Sequence, residues 1–212
     1  MKILVFSDSH LTEKFEEKKF NFLKKIIRQA DQVVINGDFW DGYLTTFDRF
    51  ISSGWSKLFP LLKAKKTVYL YGNHDRKSYM DKNADLFSDL QTYSYRLKLN
   101  GKTFKFEHGN NLHPLLDEKL PRSINKLNTI IIGFLLERFS SLKFILKRAN
   151  KIMKRINKKN SNKNEILVCG HSHWAEIDLK SQFINTGFIE NGVAKYLLID
   201  DEKIIPKEEW YD

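Results

Sequence analysis

The sequence contains a single cysteine, Cys169, so no disulfide can form within the chain. It lies in the apolar run Ile166-Leu167-Val168-Cys169, where a thiol reads as buried and inert. Chemistry without disulfides fits a reducing compartment. No uninterrupted apolar stretch approaches the roughly 20 residues of a membrane span. The apolar start Ile3-Leu4-Val5-Phe6 is too short for a secretory signal and runs straight into polar residues. Internal repeats and low-complexity tracts are missing too. So are acidic residues in one place: residues 141–164 hold nine Lys/Arg and no Asp or Glu. The net charge of +10 is therefore mostly local, because without that stretch the chain is close to neutral. The remaining composition, 42% hydrophobic and 29% charged over 212 residues, predicts one globular domain, spanning 1–212, with a real core.

Against those absences, five short polar stretches stand out, each following an apolar run: Asp8-Ser9-His10, Gly37-Asp38, Gly72-Asn73-His74-Asp75, His108-Gly109 and Gly170-His171-Ser172-His173. Five of the six histidines fall in them, a sorting that packing alone does not produce. The apolar runs before them read as strands at 3–6, 33–35, 68–71, 102–107 and 166–169. Helical patterns are predicted over 12–30 and, broken near Ser52-Ser53-Gly54, over 44–62. Strand, helix, strand at the start is a βαβ unit and predicts parallel pairing. Asn100-Gly101 predicts a hairpin turn between 93–99 and 102–107. The segment 112–164 is the odd one. Its first helical stretch has a wide apolar face (Leu127, Ile130, Ile131, Ile132, Phe134, Leu135, Leu136, Phe139). A second, over 142–159, sets Leu142, Ile145, Leu146, Ala149, Ile152, Met153 and Ile156 against the basic residues.

Ligands at the carboxyl ends of strands are expected to converge on one edge of an open α/β sheet. The candidates are Asp8, His10, Asp38, Asn73, His108, His171 and His173: two carboxylates, four imidazoles and an amide. Seven donors are too many for one ion and suit two. Mixed N/O ligation without cysteine suits Mn²⁺, Fe or Zn²⁺ rather than Ca²⁺. Paired ions are a recurring device for phosphoryl hydrolysis. Each stretch alone is a weak signal; their joint order at strand ends is not.

That set of five stretches resembles the calcineurin-like metallophosphoesterase superfamily over residues 3 to about 200, outside 112–164. The resemblance implies an α/β fold, a four-layer αββα sandwich with a helical insertion at about 112–164. It implies two divalent ions, Mn²⁺ first, one held by Asp8, His10, Asp38 and His173 and the other by Asp38, Asn73, His108 and His171. Hydroxide between the ions would attack phosphorus in line. His74 would serve the leaving group as acid or transition-state stabiliser, with Asp75 orienting it.

Three further features resemble the UDP-2,3-diacylglucosamine pyrophosphatase branch: Gly37-Asp38-Phe39-Trp40-Asp41, the tail Phe183-Ile184-Asn185-Thr186-Gly187, and the helical insertion. The resemblance implies a nucleotide-lipid substrate of lipid A synthesis, with Ile131, Phe134 and Leu135 holding acyl chains. Trp40, Asp41 and Trp174 are expected at the substrate. The best-known form of that branch carries Arg where this chain has His74, which bears on the substrate and not on the metal chemistry. The basic helix is expected to meet an anionic membrane surface, giving a cytoplasmic protein peripheral at the inner face. Three alternatives stand beside this: a helical hairpin that simply packs on the domain, a phosphodiesterase or nuclease on a polyanion, and a membrane- or protein-binding module with a secondary metal site.

Overall fold

The structure is a computed structural model. The structure describes residues 1–80, 82–99, 101–112, 120–138, 143–160, 164–201 and 203–211, with backbone alone at 82, 134, 136, 137 and 143. In chain order these form β1 (Ile3–Phe6), α1 (Glu17–Arg28), β2 (Gln32–Asn36), α2 (Phe47–Ile51), α3 (Phe59–Ala64), β3 (Val68–Leu70), β4 (Leu90–Thr92), β5 (Tyr95–Leu99), β6 (Lys102–Phe106), α4 (Arg122–Arg138) and α5 (Lys143–Asn160). The chain then adds β7 (Glu165–Cys169), β8 (Glu176–Asp178), β9 (Phe183–Asn185), β10 (Ile189–Glu190), β11 (Val193–Ile199) and β12 (Ile204–Trp210).

The strands make two sheets. The first runs β10-β11-β1-β2-β3-β4, with β12 also on β11, and its β1 to β4 are parallel. The second runs β5-β6-β7-β9-β8, with β6, β7 and β9 parallel. Because side chains alternate across a strand, each continuous apolar run feeds two cores at once. Ile3 and Val5 of β1 point at the second sheet and meet Phe104, Phe106, Ile166, Val168 and Ile184. Leu4 and Phe6 point the other way, onto Leu23, Ile26 and Ile27 of α1 and the aromatics Phe39, Phe50 and Trp55. β7 does the same on its side. Leu167 and Cys169 face out onto Met153 and Ile156 of α5, and burial pushes the Cys169 thiol well above its ordinary value. Helix, sheet, sheet, helix is the four-layer αββα sandwich.

Several expectations change in detail. α1 begins at Glu17 rather than at residue 12, because Leu11 bridges Trp40 and the Lys14 carbonyl accepts from Trp55 Nε1 at 3.3 Å, which keeps that stretch out of the helix. The 44–62 pattern splits into α2 and α3 around a 3₁₀ turn whose Ser53 hydroxyl accepts from Trp55 N. The strand ends carrying the polar stretches belong to both sheets, not to one: β1, β2 and β3 in the first, β6 and β7 in the second. Within the segment read as an insertion, α5 is the outer layer itself. Asn100, Phe139 and Leu142, named above for the hairpin turn and the two helical faces, lie outside the described residues, as do the side chains of Phe134 and Leu136.

Candidate metal centre

The polar stretches meet at the edge where the two sheets face each other, and backbone geometry shapes each of them. Asp8 (φ 51°), His10 (φ 43°), Asp38 (φ 53°), His171 (φ 66°) and His173 (φ 57°) all sit in the left-handed region. Non-glycine residues rarely adopt it, and strain of that kind concentrates at functional sites. Tertiary hydrogen bonds hold the turns: Asp8 N to Gly37 O at 3.1 Å, His10 N to Asp38 O at 3.0 Å, Gly170 N to His108 O at 2.9 Å. The first sheet also reaches the second directly, with Asn36 Nδ2 donating to Val168 O at 3.0 Å. Gly72 is needed for close approach, since a Cβ there would collide with the Asp38 carboxylate.

The side chains fall into two adjoining groups around Asp38. In one, Asp8 Oδ1 lies 3.2 Å from His173 Nε2, and His173 Nε2 lies 3.3 Å from His10 Nε2. In the other, Asn73 Oδ1 lies 3.0 Å from His108 Nε2 and 2.9 Å from His171 Nδ1. Asp38 Oδ2 is 3.1 Å from His108 Nε2 and 3.9 Å from His10 Nε2, so one carboxylate faces both groups. Donor atoms of Asp8, His10 and His173, and of Asp8, Asp38 and His108, lie within 4.8 Å of one another.

Of the outward nitrogens, that of His108 is hydrogen-bonded and those of His173 and His10 face carboxylates. His108 Nδ1 donates to Asn36 O at 3.0 Å. His173 Nδ1 lies 3.6 Å from Glu190 Oε2, and His10 Nδ1 lies 3.6 Å from Asp41 Oδ2. Such outer contacts turn the Nε2 lone pairs inward. Seven converging N and O donors without sulfur fit borderline divalent ions.

Charge is concentrated here. Burial works against ionised Asp8, yet the facing His173 outweighs it and holds the carboxyl at about 2. Asp38 is likewise held well below the usual range, with His108 and His74 overcoming burial. Burial disfavours the imidazolium of His108, but Asp38 raises it to about 10. A cation entering the site competes with protons for these nitrogens.

One role moves. Asp75 does not face His74: its carboxylate accepts from Gly72 N and Phe39 N, both at 2.7 Å, and burial together with Asp38 raises it to about 6. The carboxylate against His74 is Asp41, with Oδ2 3.1 Å from His74 Nδ1. Its Oδ1 accepts from Tyr43 N at 2.9 Å and Leu44 N at 3.1 Å, which fixes the side chain in its own turn. Burial opposes the Asp41 charge, but His74 and His10 more than offset that and lower the carboxyl. Asp41→Asn is expected to lower kcat/KM about 10- to 100-fold while keeping the Oδ1 acceptor for Tyr43 N and Leu44 N. Asp75→Asn should instead cost about 1–3 kcal/mol of stability. Steady-state kinetics beside urea unfolding separates the two, and the reverse pattern would return the role to Asp75.

The expected substrate residues fare unevenly. Trp40 is fully buried, stacked on Phe50 with ring centroids 5.8 Å apart, so it is core and not pocket lining. Asp41, also buried, faces histidines and not solvent. Trp174 is half-buried beside His173, and its carbonyl accepts from Asn150 Nδ2 at 2.9 Å. Ile131 and Leu135 are exposed on α4, at 46% and 37%. The Phe134 side chain lies outside the described ones.

A residue the motif reading passed over, Asn150, ties the site to the outer layer, together with Asn185 of the tail stretch. Asn150 of α5, fully buried, accepts from Ser172 Oγ at 2.6 Å and Asn185 Nδ2 at 3.1 Å. Asn185 Nδ2 also donates to Gly170 O at 2.6 Å. Asparagines at 150 and 157 on the apolar face of Ala149, Met153 and Ile156 were the available signal. Asn150→Ala removes the acceptor of the Ser172 hydroxyl and the donor to the Trp174 carbonyl, and thermal unfolding should show a loss of about 1–3 kcal/mol. A loss below about 0.5 kcal/mol would contradict this role.

With the geometry in view, residues 1–196 match the sequence profile of the Calcineurin-like phosphoesterase superfamily domain. The chain belongs to that superfamily. It is a metal-dependent phosphoester hydrolase by family. Among solved structures it is similar to Yfce, a phosphoesterase from E. coli, with 19% identity over 100% of both chains and a TM-score of 0.52. It is also similar to an archaeal phosphodiesterase, at 17% identity over 99% of both chains and a TM-score of 0.51. A single mutant of Vps29 from Entamoeba histolytica aligns at 14% identity over 100% of both chains, with a TM-score of 0.50. At such identities these likenesses speak for the fold alone. No curated protein matches the chain by sequence.

Proposed function

We propose that the chain hydrolyses a pyrophosphate or phosphodiester bond using two divalent ions, Mn²⁺ in first place with Fe or Zn²⁺ as alternatives, on a nucleotide-lipid resembling UDP-2,3-diacylglucosamine. Asp8, His10, His173 and Asp38 would hold one ion, and Asp38, Asn73, His108 and His171 the other. Ions bound there lower the pKa of water and neutralise phosphoryl charge. His74, aligned by Asp41, gives its proton to the departing oxygen. Asp38 Oδ1 accepts from His74 N at 2.9 Å, which fixes this loop against the metal ligands.

The observation that carries the substrate reading is where α4 starts. Its first residue, Arg122, donates to Thr45 O and stacks on Tyr79 at 5.5 Å. Arg76 stacks on the same ring at 5.5 Å and donates to Tyr43 Oη at 2.6 Å. Tyr43 in turn lies 4.3 Å from the His74 ring, centroid to centroid. Two guanidinium groups beside the proton donor suit a leaving group with further phosphate charge. The exposed apolar side chains of α4 lead away from that rim, as acyl chains would require. A phosphodiesterase on nucleotides or nucleic acid is the second reading. The same arginines and tyrosines would accept a nucleotide, and the exposed cations of α5 a polyanion.

The deciding experiment compares turnover of UDP-diacylglucosamine in detergent micelles, of a short oligonucleotide and of bis-p-nitrophenyl phosphate, each with Mn²⁺. Preference for the micellar substrate by tenfold or more in kcat/KM supports the first reading. Preference for the oligonucleotide replaces it with the second, and no turnover of any would favour a binding module.

A further inference from the structure

Lys19 breaks the pattern of its helix. Positions 19, 22, 23, 26 and 27 of α1 share one face at helical spacing. Four of them are Phe22, Leu23, Ile26 and Ile27, packed in the core on the first sheet. The fifth is Lys19, which is only 3% exposed. Lysine is among the residues least often buried to that degree. A long cation on a helix usually lays its stem along apolar surface and keeps its head in water. Here burial outweighs the charges of Glu190 and Glu16 and lowers the Lys19 ammonium from its ordinary value. A methionine would fill similar space without burying a charge, so packing alone does not account for the lysine.

The Lys19 ammonium touches the Ser9 carbonyl, at 2.6 Å. Ser9 stands between Asp8 and His10, both in the left-handed region. This turn is held from three sides. From the neighbouring loop, Asp38 O accepts from Ser9 N at 2.9 Å and Phe39 O accepts from Ser9 Oγ at 3.0 Å. From β10, Ile189 N donates to Asp8 O at 3.1 Å. Lys19 is the third side, from α1. The next residue of β10, Glu190, has Oε2 3.6 Å from His173 Nδ1, and its charge also favours the Lys19 ammonium. One lysine and one glutamate outside the seven donors thus bear on Asp8, His10 and His173 together. The other group is steadied through the main chain, where His108 Nδ1 donates to Asn36 O at 3.0 Å.

We propose that Lys19 is a positioning residue for one of the two ions: by holding the Ser9 carbonyl it fixes the 8–10 turn so that Asp8 and His10 present their donors to the ion they share with His173. The ion on Asn73, His108 and His171 does not depend on it. The proposal rests on the two-ion reading above. Its sign is informative. A lysine acting only as a nearby charge repels a cation, and its removal would tighten metal binding. A lysine that shapes the donor set has the opposite effect.

The test titrates the metal-stripped full chain with Mn²⁺ and reads free Mn²⁺ by its EPR signal. The parent should take up two ions. In Lys19→Met one binding step should weaken by about 10- to 100-fold, the range for outer contacts of metal ligands, and the other should stay in place. Asn73→Ala, from the other group, should weaken the other step and so identifies each. The urea midpoint of Lys19→Met should stay close to the parent's, since relief of the buried charge offsets the lost hydrogen bond. Turnover of bis-p-nitrophenyl phosphate by Lys19→Met should fall at low Mn²⁺ and return at roughly 100-fold higher Mn²⁺. With two ions bound by the parent, an unchanged or tighter Mn²⁺ titration of Lys19→Met overturns this proposal alone, as does equal weakening of both steps. A large fall in the urea midpoint would make Lys19 a structural residue and overturn it too. A parent that takes up fewer than two ions overturns the two-ion reading and this proposal with it.

Discussion

Asp38→Ala is expected to lower kcat by on the order of 10⁴-fold or more and to reduce the bound metal measured by elemental analysis. The size follows from position. Asp38 is the carboxylate that faces both donor groups, with Oδ2 near His108 and His10, while its Oδ1 accepts the His74 backbone N–H. Removing it takes a candidate donor from each group, frees the loop that carries His74, and removes the charge that raises His108. The fold should survive, because the protein loses a buried charge and keeps every strand contact around it. Asn in place of Ala keeps the shape and one acceptor, so Asp38→Asn should retain more metal than Asp38→Ala at a comparably low rate. Activity within tenfold of the parent in Asp38→Ala would remove Asp38 from the centre of the mechanism.

His74→Ala should behave differently, and the difference is diagnostic. A general acid contributes about 10²–10⁴-fold, and that contribution depends on how much the departing oxygen needs a proton. With an alkyl or phosphoryl leaving group the loss should approach the upper part of that range. With p-nitrophenolate, which leaves readily as an anion, it should shrink to about tenfold. Metal content should not change, because the carboxylate that faces the His74 ring is that of Asp41, at 3.1 Å. A plot of log kcat against leaving-group pKa for parent and variant makes the test. Parallel lines would mean that His74 acts on binding or on phosphoryl charge rather than on the leaving group.

The five polar stretches were legible in the sequence because everything that defines them is local. Each follows a strand directly, and a strand that ends at a site delivers its last residues there whatever the sheet around it looks like. The family and the fold class followed from that, as did the list of polar residues that meet at the sheet edge. The pairing of His74 was not legible. Asp75 is its chain neighbour and Asp41 lies on another loop, yet the two loops close on each other through Gly42 N and the His74 carbonyl at 2.9 Å. Asp75 meanwhile turns inward to cap the backbone of Gly72 and Phe39. Adjacency in sequence favoured the wrong carboxylate.

Trp40 was misplaced for a similar reason. An aromatic beside a motif can line a pocket or fill a core, and only the position of α2, which brings Phe47 and Phe50 against it, decided for the core. The short strands β4, β8 and β10 lack the length for any period to show, and their partners in the sheet define them. α5 illustrates both sides. Its amphipathic pattern and its cations were visible, but its apolar face looked equally ready for a neighbouring helix.

The sequence alone therefore determined the chemistry: which residue types stand at strand ends, and hence which donors are available for metal and phosphate. The tertiary structure decided the partnerships: Asp41 with His74, Asn150 with the His171-to-Trp174 loop, and α5 as the outer layer of the sandwich with its cations left facing outward. Ligand identity is carried by short runs of chain, whereas orientation depends on contacts between segments far apart in sequence, which become specific only once two sheets and their helices are packed together.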